Sequence, residues 1–164
     1  MIIGIDPGLS GAVALYSPAR SMQIMDIPTF EITVNGHKRR QVDLHQCYAM
    51  LTKLTNVADL IVIEEPHAMP KQGVTSAFSF GHVCGMLQAF VVTTGVPMVL
   101  VRPNVWKHFC KVPADKDATR KRASQMFPSF AHNWPLKKHD GRAEAALIAW
   151  YGACLQRPNN GVPS

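Results

Sequence analysis

The chain has 164 residues, of which 47% are hydrophobic and 17% charged, and its formal net charge is +6 at pH 7. This composition is typical of a globular protein and excludes a disordered chain, and the longest apolar stretch is too interrupted by glycine, proline and polar residues to predict a membrane span. The length suits a single domain, which we place at residues 1–157, followed by a flexible tail at residues 158–164.

The first seventeen residues predict a buried strand, a tight turn and an antiparallel return strand. The apolar residues 2–5 lead into Asp6, the segment Pro-Gly-Leu-Ser-Gly follows at 7–11, and a second apolar run covers residues 12–16. Asp6 therefore carries a charge at the end of an apolar strand, where desolvation is costly unless something compensates it. A divalent cation is the simplest candidate, and more carboxylates would then be expected at the same point.

The next segments predict a third strand, a polar excursion and a helix. Residues 21–28 suit a third antiparallel strand. The polar and basic residues 29–41, which contain an Asn35–Gly36 turn, suit either a surface loop or a small hairpin. Asp43 then suits the N-cap of a helix that ends near residue 56.

A continuous apolar run at residues 59–64 predicts a central parallel strand that ends in Glu64. The side chain of Glu64 would project from the carboxyl edge of the sheet, and beside the first strand it would lie next to Asp6. Glu65 would point to the opposite side and is at most a supporting residue. A loop is expected from Glu65 to Gly73.

The second half of the chain alternates helices with one more strand. We predict a long helix over residues 74–94, a strand over 97–101, and a helix opening at Pro103. Two further helices are predicted over residues 117–127 and 141–155. The resulting order predicts an α/β fold with a mixed sheet covered by helices.

Two acids in the last helix, Asp140 and Glu144, are one helical turn apart and so share a face. They can be a helix cap and a first-turn acid, or they can join Asp6 and Glu64 in a metal site. Four carboxylates around one point suit two Mg²⁺ or Mn²⁺ ions, which serve phosphodiester hydrolysis. His139, beside Asp140, is a candidate for positioning water or transferring a proton.

Positive charge is concentrated in the second half of the chain, where residues 102–142 hold ten Lys and Arg against three acids. This asymmetry favours a polyanion-binding face over a merely soluble surface. The candidate contacts are Arg102, Lys107, Lys111, Lys116, Arg120, Lys137 and Lys138, with a second small cluster at residues 38–40. The four cysteines lack metal-binding or disulfide spacing and predict free thiols, and the apolar N-terminus predicts a cytoplasmic location rather than a secreted one.

Several motifs together resemble the RuvC family of Holliday-junction resolvases, in the ribonuclease H-like superfamily, and more closely its phage-type branch. These motifs are Gly-Ile-Asp-Pro-Gly at 4–8, Ile-Glu at 63–64, the helical segment 76–85, Pro-Asn-Val-Trp-Lys at 103–107, Ala-Asp-Lys at 114–116 and the acidic helix at 140–149. The resemblance implies a ribonuclease H-like five-stranded mixed sheet and a Mg²⁺-dependent (or Mn²⁺-dependent) endonuclease that resolves four-way DNA junctions.

The resemblance also implies residue roles. Asp6, Glu64, Asp140 and Glu144 would be the catalytic, metal-binding acids, with two ions per site. Lys107 and Lys116 would lie near the scissile phosphate, Lys116 as a catalytic residue. The family's last two acids are usually aspartates three residues apart, whereas here Asp140 and Glu144 are four apart and Gly141 takes the alternative position.

A homodimer is implied as well, with the long helix that contains Gly81 and Gly85 as its interface. The alternative is that these glycines pack the helix against its own sheet.

The sequence also leaves other functions open. The same chemistry could act on forks, flaps or RNA–DNA hybrids, or the chain could bind junctions without cutting them. An ATP-binding lobe of the actin-like or sugar-kinase type is opposed by the short length and the lack of a second phosphate-binding Asp-x-Gly turn.

Overall fold

The computed structural model describes residues 1–19, 21–66, 73–115 and 117–156. The strands are β1 Ile2–Asp6, β2 Ala12–Ser17, β3 Ser21–Asp26, β4 Thr29–Val34, β5 His37–Val42, β6 Leu60–Glu64 and β7 Met98–Val101. Five of them form a sheet in the order β3-β2-β1-β6-β7. The β1 strand pairs antiparallel with β2 and parallel with β6, and β7 extends the parallel part. The predicted mixed five-stranded α/β sheet is confirmed.

The helices are α1 Leu44–Thr55, α2 Val74–Thr93, α3 Pro103–Phe109, α4 Ala118–Met126 and α5 Asp140–Leu155, with 3-10 turns at Pro128–Asn133 and Lys137–His139. As predicted, the Asp43 side chain caps α1 by accepting from the Gln46 backbone N–H at 2.9 Å, and Pro103 opens α3. One interpretation of the sequence made Asp140 the N-cap of the last helix. The structure contradicts it, because α5 begins at Asp140 and His139 holds the N-cap position.

Helices cover the two faces of the sheet, and each face has its own apolar cluster. On one face α5 packs with Trp106 and Trp134 against Ile2, Ala14 and Val62. On the other face α1 and α2 pack through residues such as Leu51 and Leu87. The two tryptophans are therefore core residues.

The α5 helix approaches the central strand closely because residue 4 is a glycine. A Cβ atom placed on Gly4 would lie 2.3 Å from the backbone oxygen of Ala145 and 2.3 Å from the backbone nitrogen of Ala149. Such distances exclude any side chain at this position. The small residues of the strand and the helix thus fix the position of α5, whose first turn lies at the carboxyl end of β1.

Of the two structures expected for residues 29–41, the hairpin is the one observed. The β4 and β5 strands form a separate two-stranded antiparallel sheet that runs from Thr29↔Val42 to Val34↔His37. The turn residues Asn35 and Gly36 have φ angles of 51° and 76°, as a type I′ hairpin turn requires.

As predicted, Cys47, Cys84, Cys110 and Cys154 carry thiols and are not joined by disulfide bonds. Among the described residues, α2 is the one helix that is long and apolar enough to span a membrane, but the core helix of a globular protein can have the same length and composition.

The single domain over 1–157, the cytoplasmic location and the lack of a membrane stay predictions. The predicted tail at 158–164 lies outside the described residues.

Candidate active site

Asp6 and Glu64 lie side by side at the carboxyl edge of the sheet. The β1 and β6 strands run parallel with Ile5 opposite Ile63, so the next residue of each strand leaves the sheet at the same edge. Glu64 is buried, with 7% of its surface exposed, and Asp6 is partly buried. The adjacency of these two acids, predicted from the ends of two apolar strands, is observed.

The first turn of α5 packs against Asp6 and against the turn that follows β1. A Cβ atom on Gly141 would lie 2.7 Å from Asp6 Oδ2 and 2.5 Å from the carbonyl oxygen of Ser10, which belongs to the turn after β1. Position 141 therefore accepts only glycine, and an acid cannot stand there. This packing explains why the acid that precedes Glu144 is not at position 141. It also places the positive end of the α5 dipole beside the Asp6 carboxylate.

The α3 helix supplies a partner for each of two carboxylates. The Trp106 indole Nε1–H donates a hydrogen bond to Glu64 Oε2 at 2.7 Å, within the buried core. Lys107, the next residue, brings its Nζ atom to 2.9 Å from Glu144 Oε1 and to 5.1 Å from the Trp106 ring centroid. Glu64 is thus oriented by a buried donor, and Glu144 is paired with an internal cation.

Asp140 is held by a residue of α4. Its Oδ1 atom accepts a hydrogen bond from Arg120 Nε at 2.6 Å, and the same guanidinium pairs with Asp117 at the start of α4. Of the three acids that affect the Asp6 carboxyl, Asp140 has the smallest influence. Asp6, Glu64 and Glu144 are therefore the acids with the strongest mutual interaction, here called the close group, and Asp140 belongs to its periphery.

The close group carries more negative than positive charge. Burial, followed by the charges of Glu144 and Glu64, raises the pKa of Asp6 well above its usual range. Burial alone lowers the pKa of Lys107, but the charges of Glu144, Glu64 and Asp6 outweigh that effect and raise it. Lys107 therefore remains protonated and offsets only part of the repulsion among the three carboxylates.

The residues of this group fit a hard divalent cation. Their donors are carboxylate oxygens, the ligands that Mg²⁺ and Mn²⁺ prefer, and the excess of buried negative charge favours an added cation. As the side chains stand in the described part of the chain, no three His, Cys, Asp or Glu residues converge on one ion position. One oxygen of Glu144 contacts Lys107 and one oxygen of Asp140 contacts Arg120, and side chains of the group must shift before three of them share an ion.

The predicted DNA-contacting residues fall into different environments. Lys111, Lys137 and Lys138 are exposed, Arg102 is exposed and pairs with Glu65 at 3.1 Å, and Lys107 is half-buried in the acidic group. Arg120 is 16% exposed and engaged by two carboxylates, so its charge is already matched inside the protein. Lys116 lies outside the described residues. Direct DNA contact by any of these residues stays a prediction.

Two supporting residues, Trp106 and Gly141, were not recognised as parts of the site from the sequence. Nothing in the local pattern around Trp106 indicates that its indole reaches a carboxylate 42 positions earlier. Gly141 carries a weak signal, since glycine in the first turn of a helix is unfavourable unless a close approach requires it. The Nδ1 atom of His139 accepts from the Leu136 backbone N–H at 3.3 Å, so this imidazole caps a local turn.

The raised pKa of Asp6 leads to a stability prediction, with Asp26 as a control of opposite sign. Because Asp6 is harder to ionise in the folded chain than in the unfolded chain, its charge destabilises the fold above about pH 4. Asp6→Asn should therefore raise the free energy of unfolding at pH 7 in EDTA, and this gain should disappear below about pH 4.

Asp26 is the matched control because its carboxylate is paired with Arg142 through bonds of 2.6 and 2.5 Å. The hydrogen bond from Arg142 lowers the pKa of Asp26, so its charge stabilises the fold at neutral pH and that contribution is lost on acidification. Asp26→Asn should cost about 1 kcal/mol at pH 7, since the pair is partly exposed. Urea denaturation at both pH values measures the two variants, and a loss of stability in Asp6→Asn at pH 7 would contradict the electrostatic account.

Comparison with known proteins shows the fold of this chain. No protein-family model and no curated protein sequence matches it. A structure of Thermus thermophilus RuvC in complex with a Holliday junction substrate covers 93% of this chain and 94% of its own, with a TM-score of 0.59 and 16% identity. The yeast mitochondrial Holliday junction resolvase Ydc2 covers 90% of this chain and 75% of its own, with a TM-score of 0.50 and 15% identity. The chain therefore has a RuvC-like fold, as the sequence resemblance predicted.

Proposed function

We propose that this protein is an endonuclease that depends on Mg²⁺ or Mn²⁺ and resolves four-way DNA junctions by paired phosphodiester hydrolysis. One observation carries the proposal: Asp6 and Glu64 end neighbouring strands, the first turn of α5 packs against Asp6, and Lys107 is the one cation that contacts Glu144 among the described residues, inside a protein of net charge +6. A carboxylate group of this kind in a basic protein suits a site where divalent cations meet a polyanion. The RuvC-like fold and the two resolvases with that fold support this choice of substrate.

In this proposal Asp6, Glu64 and Glu144 hold the cation, and Asp140 joins them when two ions bind. A bound divalent cation supplies an activated water molecule and stabilises the charge on the leaving oxygen. The buried Trp106 N–H holds Glu64 in one orientation, and the packing of Gly141 holds Asp6 against the start of α5. Lys107 keeps Glu144 in place, and its ammonium group can donate to a phosphate oxygen once Glu144 is engaged elsewhere.

Two alternatives keep a nucleic acid as the partner. The same site could cut forks, flaps or RNA–DNA hybrids, because the carboxylates would be shared and the surrounding surface would select the substrate. A protein that binds junctions without cutting them is disfavoured, because it would have no need to keep three carboxylates in a repelling group.

We also propose that the protein acts as a homodimer through α2, so that two sites face the two strands of a junction. Gly81 and Gly85 are exposed, and a Cβ atom at either position would meet nothing within 4 Å. The alternative that these glycines pack α2 against its own sheet is therefore wrong. The same face presents Phe78 and Val92, which are 75% and 66% exposed. An apolar face with two glycines one turn apart suits close contact with a second copy of the helix.

Strand cutting on defined substrates tests the proposed activity. The wild-type protein should make paired, symmetrical nicks in an immobile four-way junction with Mg²⁺ and none with EDTA. Glu64→Gln should cut at least about a hundredfold more slowly, because it removes an ion ligand. Glu65→Gln is the matched control, since Glu65 is the next residue but pairs with Arg102, and its activity should stay close to that of the wild type.

The other outcomes of that assay are equally informative. Faster cutting of forks, flaps or hybrids would keep the chemistry and overturn the junction as substrate. Tight junction binding with no cutting under Mg²⁺ or Mn²⁺ would overturn the nuclease proposal in favour of the binding protein.

Replacing the exposed glycines of α2 tests the dimer. Gly81→Ala with Gly85→Ala should stabilise the isolated helix by about 1 kcal/mol per residue, because alanine is the better helix former. The added methyl groups should nevertheless weaken the dimer about tenfold or more, which is about 1.4 kcal/mol. Gly73→Ala, which also faces open space but lies before the helix, should leave the dimer unchanged. Sedimentation equilibrium measures all three proteins, and a monomeric wild type would contradict the proposal.

A further inference from the structure

The β4–β5 hairpin is an appendage that the five-stranded sheet does not need. Within the described residues its strands are hydrogen-bonded to each other and to no strand of the main sheet. Every residue from 35 to 41 is exposed, and the buried Val42 anchors the base. A two-stranded hairpin is only marginally stable in water, and apart from Val42 none of its residues is fully buried, so the exposed surface of β5 is open to a partner.

The second strand of the hairpin is strongly basic. Lys38, Arg39 and Arg40 are consecutive on β5, and the only acid in residues 29–42 is Glu31, which leaves a net charge of 3 − 1 = +2. Lys38 Nζ lies 3.3 Å from Glu31 Oε2, but both side chains are more than 60% exposed, and such pairs are weak. Arg39 makes no hydrogen bond or ion pair with any of the described residues, so its charge is free for a partner outside the chain.

The base of this basic strand lies against the carboxylate site. Arg40 Nη2 donates a hydrogen bond to Ser10 Oγ at 2.7 Å. The Ser10 carbonyl oxygen is one of the atoms against which Gly141 packs, beside Asp6 Oδ2. The hydrogen bond from Arg40 therefore links β5 to the turn that follows Asp6, and the other basic residues, Lys38 and Arg39, lie further along the strand.

We propose that β5 is a DNA-binding arm, in which Arg39 and Lys38 contact backbone phosphates of the strand that leaves the carboxylate site and Arg40 anchors the arm to Ser10. The route of the DNA rests on the nuclease function proposed above. Charge complementarity and shape favour this partner, because basic groups spaced along an extended strand match a linear polyanion.

The salt dependence of DNA binding tests the arm without any cutting. Dissociation constants of a four-way junction and of a linear duplex are measured in EDTA over a range of salt concentrations. Arg39→Gln should lower the magnitude of the slope of log K against log salt by about 0.9 for both DNAs. At low salt it should also weaken binding by about threefold to tenfold. Arg39→Lys keeps the charge and should keep the wild-type slope.

Lys53→Gln is the matched control, because Lys53 is an exposed lysine in the last turn of α1, outside the hairpin. It should leave the slope and the affinity unchanged. A wild-type slope in Arg39→Gln, or an equal loss in Lys53→Gln, would overturn the arm. If the wild type cuts nothing while Arg39→Gln still lowers the slope, the arm stands and the nuclease proposal fails. If the wild type cuts normally while Arg39→Gln leaves the slope unchanged, the nuclease proposal stands and the arm fails.

Discussion

The repulsion among Asp6, Glu64 and Glu144 is the constraint around which this end of the molecule is organised. Three carboxylates from two parallel strands and a helix meet where water is largely excluded, and this raises the pKa of Asp6 through burial and through the charges of its neighbours. A group of this kind is costly in a folded protein unless it serves a purpose. The surrounding residues offset the cost in part, through the ammonium of Lys107, the indole N–H of Trp106 and the first turn of α5.

The rest of the fold brings Lys107, Trp106 and the first turn of α5 to the same edge of the sheet. The absence of side chains at Gly4 and Gly141 allows α5 to lie close against β1, which brings its first turn onto Asp6. The short α3 helix follows β7 directly, and two consecutive residues of it reach two different acids. On the side of β3, the paired Asp26 and Arg142 hold the start of α5 from the other direction. The positions of the carboxylates thus depend on packing across the whole sheet.

Much of this architecture could be predicted from the sequence because its signals are local. The apolar runs that end in Asp6 and Glu64 identify two neighbouring strand ends, and Asp43 and Pro103 mark helix starts through their own chemistry. The partners of Asp140 and Glu144 could not be predicted, because they belong to α4 and α3. Asp140 and Glu144 are one turn apart on the same helix, but their environments differ. Asp140 pairs with Arg120, and Glu144 pairs with Lys107. The open choices at residues 29–41 and at Gly81 and Gly85 likewise depended on what surrounds those segments.

The central claim is that the three acids form a site for a divalent cation, and direct binding of Mn²⁺ tests it most closely. Electron paramagnetic resonance of Mn²⁺, titrated into the protein in the presence of a four-way junction, counts the bound ions without relying on cleavage. We expect binding by the wild type and by Glu65→Gln, and its loss in Glu64→Gln, because only Glu64 belongs to the group around Asp6. Equal Mn²⁺ binding by the wild type and Glu64→Gln, or none by either, would contradict the account.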